Sequence, residues 1–139
     1  MRISLMDRSL YFKGLLLLTR KDRLVGEREK AMMMRVGALF GFEKGFCMEV
    51  IDDVLTNRHV VDEPPLFEDT QIARCFVKDG LKMSNVDGEI HESELEWLAA
   101  VVARNHLNTV WYNGLLHDAG RQGGPDPVVT LEAERFVWA

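Results

Sequence analysis

Cysteine and proline are both scarce in this chain, and no apolar run is long. There are two cysteines and four prolines in 139 residues. Cys47 and Cys75 sit inside apolar segments with no short metal-ligand spacing between them. That excludes a cysteine-framed zinc site and a disulfide scaffold, and it reads as two small buried residues in a reducing compartment. The longest leucine run, Leu15 to Leu18, falls far short of a bilayer, and Asp7 and Lys13 interrupt what would otherwise be a signal-peptide core. The expectation is therefore a cytoplasmic protein. Also missing are a glycine-rich phosphate loop, a nucleophile elbow and a pair of catalytic carboxylates. The four histidines, His59, His91, His106 and His117, never stand four apart around an acid, so no helical zinc motif is present. His117 followed by Asp118 has the look of an oriented base, but no motif places a nucleophile for it. A non-enzymatic domain is the expectation, with a small hydrolase using this pair the least favoured reading.

Nearly half of the residues are apolar, 47%, which argues against global disorder and for one domain with a real core. The net charge of −5 conceals an asymmetry: residues 1–35 carry nine Lys or Arg against four Asp or Glu, and the remainder carries eight against eighteen. One reading is a solvated basic face lying over acidic neighbours. The other is a docking patch, built from Arg20, Lys21, Arg23 and Arg28, for an acidic protein partner or an anionic membrane surface. Nucleic acid is not expected as a partner, because no aromatic-rich basic motif accompanies the charge.

Apolar spacing is helical almost throughout. Met32, Val36, Leu39 and Phe40 share a face, as do Phe46, Val50 and Val54, then Ile72, Cys75 and Phe76, then Leu95, Leu98 and Val102. Breaks fall at Asp22 to Gly26, Gly41 to Lys44, Asp62 to Pro65, Ser84 to His91, and within Gly120 to Pro127. These features predict a single all-α domain over 1–139, a bundle of six to seven helices. A short last helix is expected near 130–138, capped by Thr130 and loosely linked through GRQGGPDP. Such a helix would pack on its own chain or join two copies as a homodimer.

Sliding the sequence along itself until Asp22 meets Asp87 lays KDRLVGEREKAMMMRVGALFGF over VDGEIHESELEWLAAVVARNHL. In the same register Val25 meets Ile90, Glu29 meets Glu94, and Met33 meets Leu98. Both copies read D, two residues, V or I, three residues, E, then an amphipathic helix, which predicts two pseudo-repeated helical hairpins. The residues from Asn85 to Leu98 then admit two readings. In one, Gly88 and Asp87 form a turn, and Glu94 bonds back to the N–H of His91 three residues earlier, closing a cap. In the other, Asp87 and Glu94, helped by Asn85, hold a divalent cation, calcium or magnesium, weakly. A calcium loop of the EF-hand type would put Glu94 at its twelfth position and Met83 at its first, and a thioether does not replace a carboxylate there.

VDGEIHESELEWLAAVVARNHL and the more degenerate KDRLVGERE with MMMRVGALFGF resemble the tellurite-resistance TerB-like family. The resemblance covers most of 15–117. It implies an all-helical domain of two related halves with acidic loops that bind a divalent cation. It also implies a role in bacterial stress response, commonly at the inner face of the membrane, without enzymatic activity. By position, Asp87 with Glu94 and Asp22 with Glu29 match the acidic pairs. Arg23 stands where the family has glycine, so the second loop is the expected cation site.

Overall fold

The computed structural model describes residues 2–20, 26–57, 62–85, 90–122 and 130–138. Six α-helices account for most of them: α1 (Leu5–Thr19), α2 (Glu27–Leu39), α3 (Lys44–Thr56), α4 (Thr70–Ser84), α5 (Glu92–Arg104) and α6 (Thr109–Gln122). A 3₁₀ turn, Glu132–Arg135, follows, and two two-residue strands, β1 (Arg2–Ile3) and β2 (Val137–Trp138), pair in parallel. The expected all-α bundle is thus the fold, with a minimal ladder added at its edge.

Helices that start at Leu5, Glu27 and Lys44 are answered by helices that start at Thr70, Glu92 and Thr109, with the same interval each time. The caps recur with them. The hydroxyl of Ser4 accepts from the N–H of Asp7 at 3.2 Å, and at the matching position the carboxylate of Asp69 accepts from the N–H of Gln71 at 2.8 Å. These bonds satisfy donors that a helix start leaves over. At the other end of α2, Gly41 takes φ 78°, and the N–H of Phe42 donates to the carbonyl of Gly37 at 2.9 Å. After α5, His106 takes φ 55°, and the N–H of Leu107 donates to the carbonyl of Val102 at 2.9 Å. Both ends are Schellman closures, which require one left-handed residue. In the second half that residue is a histidine, so the break between α5 and α6 carries no glycine or proline and was not among the expected ones.

The core forms around α1, whose Tyr11, Phe12 and Leu15 to Leu18 all lie inside. Each such leucine contributes about 1.5–3 kcal/mol by leaving water. α1 packs on α2, α3, α4 and α5. Its close approach to α4 falls at Gly14, where a Cβ would come within 2.8 Å of the Phe76 ring. Tyr11 stands at the centre of an aromatic cluster, edge-on to Phe76 at 5.2 Å, Phe40 at 5.4 Å and Phe136 at 5.5 Å. Edge-to-face contacts of this kind add about 0.5–1.5 kcal/mol each beyond burial.

Three expectations need correction. Phe46, placed on the core face of α3, is 43% exposed and only leans on Phe42. The last element is no α-helix over 130–138: one 3₁₀ turn with Leu131 at its cap position is followed by β2 and packs on α2 and α4, while most of the expected linker lies outside the described residues. And Arg20, assigned to a basic docking patch, is drawn inward, donating to the carbonyl of Val54 at 3.0 Å with Asp62 at 3.9 Å. Lys21 and Arg23 of that patch lie outside the described residues.

Candidate functional site

The loop joining α4 to α5 carries the expected cation ligands. Asn85 caps the C-terminus of α4, its N–H donating to the carbonyls of Leu81 at 3.1 Å and Lys82 at 3.2 Å. Asp87 lies outside the described residues. Glu94 is the third residue of α5 and only 2% exposed, and its Oε1 accepts from the N–H of His91 at 3.0 Å. That is the cap geometry: a buried carboxylate turned back onto the helix start, where it also complements the positive end of the helix. Met83, which would open a calcium loop, is buried in the core. Among the described residues no three of His, Cys, Asp and Glu come together as a metal site. A hard cation needs several oxygens, so Asn85 and Glu94 alone do not compose one.

Among the described residues, the most heavily bonded carboxylate is one that sequence reading passed over. Asp79 follows Ile72, Cys75 and Phe76 along the apolar face of α4 and is fully buried. The hydroxyl of Tyr11 donates to its Oδ2 at 2.6 Å, the N–H of Glu132 donates to Oδ1 at 2.7 Å, and the N–H of Ala133 donates to Oδ2 at 3.1 Å. Burial pushes its pKa up to about 6, against the lowering pull of the Tyr11 and Ala133 hydrogen bonds and of Lys82. The Tyr11 hydroxyl is pushed well above its ordinary range, by burial first and then by Asp79. Charged side chains continue the attachment: Lys82 donates to the carbonyl of Thr130 at 2.7 Å and lies 3.7 Å from Glu132, while Arg35 pairs with Glu134. Leu131 and Ala133 are buried, and the ring of Phe136 stacks parallel to that of Phe40. Asp79 is therefore a clamp on the backbone of the C-terminal segment. The signal that could have found it was the position: a carboxylate at i, i+3, i+4, i+7 register with three core residues.

Two other buried polar groups do similar work on the segment between α3 and α4. Asp7 accepts from the N–H of Glu68 at 2.9 Å. Asn105 accepts from the N–H of Phe67 at 2.9 Å and donates to the carbonyl of Pro65 at 2.8 Å. The segment so held forms one wall of a cleft of about 230 Å³, lined by Leu10, Lys13, Leu17, Pro65, Leu66 and Arg104 among others. Arg104 pairs with Glu63 at 3.0 Å across it. Along α1, Met6, Leu10, Lys13 and Leu17 fall on one face. Leu5, Met6 and Leu66 are each more than half exposed.

Cys47 and Cys75 are free and buried, and burial pushes both thiols up, away from the reactive thiolate. His117 and Asp118 lie exposed on α6. Among the described residues no helix is long and apolar enough to cross a membrane. Comparison of the chain with protein-family models, characterised proteins and solved structures finds no match.

Proposed function

We propose that this chain is a non-enzymatic docking domain that rests on an anionic membrane surface through the outer face of α1. The observation that carries the reading is the pairing of exposed Leu5, Met6 and Leu66 with exposed Lys13 and Arg2 at the basic end of the chain. Large apolar side chains cost free energy in water, and a cationic rim beside them suits lipid headgroups, at about 1 kcal/mol per basic residue. The resemblance to TerB-like proteins supports the same placement and suggests bacterial stress response as the setting. A divalent cation at Asp87 remains part of that resemblance, with Glu94 already engaged as a cap.

Sedimentation with phosphatidylglycerol-containing vesicles tests the proposal. Binding is expected at low ionic strength, weakening steeply as salt is raised. Lys13→Glu combined with Met6→Asp should abolish it while leaving the circular dichroism unchanged. No sedimentation at low salt, or sedimentation indifferent to those substitutions, sinks the membrane reading. Binding of an acidic polypeptide such as polyglutamate in place of vesicles would reassign the face to a protein partner.

A further inference from the structure

The C-terminal segment is attached in the manner of a bound peptide. Asp79 reads its backbone, not its side chains: both carboxylate oxygens accept from N–H groups that every residue except proline supplies. Selectivity comes from what surrounds that contact. Leu131 and Ala133 enter the core, Phe136 lies against Phe40 and Tyr11, and the acids at 132 and 134 face Lys82 and Arg35. Past Phe136 the backbone runs alongside Arg2–Ile3 as an added strand. Backbone pairing plus pockets for alternate anchors is how sheet edges and grooves take up extended peptides.

We propose that the groove formed by α1, α2 and α4 is a receptor for a short acidic segment of a partner protein, anchored by apolar residues, and that residues 131–136 are its internal occupant. The pattern it takes is apolar, acidic, small, acidic, any residue, aromatic. An empty groove would leave Asp79 with the Tyr11 hydroxyl as its one described donor, so the site favours being filled. The occupant is a short element, one 3₁₀ turn and two ladder residues, and a segment of that length can open as a unit without unfolding the helices, below the global stability. An incoming segment competes against a tethered one, whose effective concentration is about millimolar. The proposal goes beyond the membrane reading and shares with it only Arg2, so either can fail alone.

The probe is a fluorescein-labelled peptide of sequence TLEAERFVW, titrated by anisotropy into the full chain. Wild type should bind it weakly. Glu132→Lys with Glu134→Lys, which turns the chain's own segment against Lys82 and Arg35, should bind it at least tenfold more tightly. Adding Lys82→Glu to that variant should reverse the gain by at least tenfold. Equal binding to wild type and to the charge-reversed variant, or indifference to Lys82→Glu, overturns the proposal. If the variant does not fold, amide exchange on wild type decides. The N–H groups of Glu132 and Ala133 should exchange at least a hundredfold faster than those of α4, and exchange only through global unfolding overturns it. A wild-type dimer that the peptide dissolves would give the groove to a second copy and overturn the partner assignment.

Discussion

Helices α1 to α3 and α4 to α6 start at matching places in the two halves of the chain, yet the two triplets close differently. In the first, α2 and α3 meet at Gly37, where a Cβ would lie 2.3 Å from the sulfur of Cys47. In the second, the corresponding positions hold Val102 and Tyr112, and the tyrosine reaches over to donate to the carbonyl of Leu95 at 3.0 Å. α3 buries Cys47, Ile51 and Val54, whereas Trp111, Leu115 and Leu116 of α6 are half-buried. At the first helix of each triplet the contrast is chemical: Gly14 lets α1 approach α4, and the matching position of α4 is Asp79. The α2–α3 hairpin thus closes tightly and the α5–α6 hairpin more loosely, and α4 carries a buried carboxylate where α1 carries glycine. Helix length and caps set the helical plan, and side-chain volume at a few contact points sets how far each hairpin closes.

The equivalence is most exposed at Met33 and Leu98, which occupy matching positions and are both fully buried. Met33→Ala and Leu98→Ala should each cost about 2–5 kcal/mol in urea unfolding. A cost below about 1 kcal/mol at one site alone would break the comparison. The Schellman closures should respond in opposite directions. Gly41→Ala places a Cβ at φ 78° and should destabilise by about 1–2 kcal/mol, while His106→Gly relieves φ 55° and should raise the melting temperature.

The carboxylate makes pH dependence a property of the second half. Asp79 titrates at about 6 in the fold against an ordinary 3.8. The native state therefore holds the proton more tightly than the unfolded chain. Its contribution favours folding at low pH and is lost as pH rises from about 4 through 6. Between pH 5 and 7, wild type should lose about 1 kcal/mol of stability relative to Asp79→Asn. A flat difference would remove the raised titration. The smallest effects belong to the loop after α4. Glu94→Gln should cost about 0.5–1 kcal/mol through the cap, and calorimetric titration of metal-stripped protein with millimolar calcium, magnesium, manganese and zinc should be flat. A calcium signal abolished by Asp87→Asn would instead restore the ion reading.

The helical class was readable because it rests on local periodicity and on cap spacing. Glu94 was legible as a cap because His91 stands three residues before it. The break after α5 was not, because His106 supplies a left-handed residue without a glycine to announce it. Asp79 was hidden by its own type: a lone carboxylate reads as surface until its partners, far back along the chain at Tyr11 and far ahead at Glu132, are seen. The C-terminal segment was misjudged for the same reason. Its structure comes from contacts distant in sequence and not from its own propensities.

The deep burial of α1's inner residues also sets a waiting time. Its apolar side chains leave the ribosome well before their partners, since α1 ends at Thr19 and α4 only at Ser84. At about 5–20 residues per second the interval is about 3–13 s. During it Tyr11, Phe12 and four consecutive leucines have α2 and α3 for cover, but neither Phe76 nor Leu98. A nascent chain in that condition should engage chaperones, since exposed apolar surface is aggregation-prone. Slowing synthesis between Asp69 and Leu98 should increase aggregation more than slowing it anywhere later.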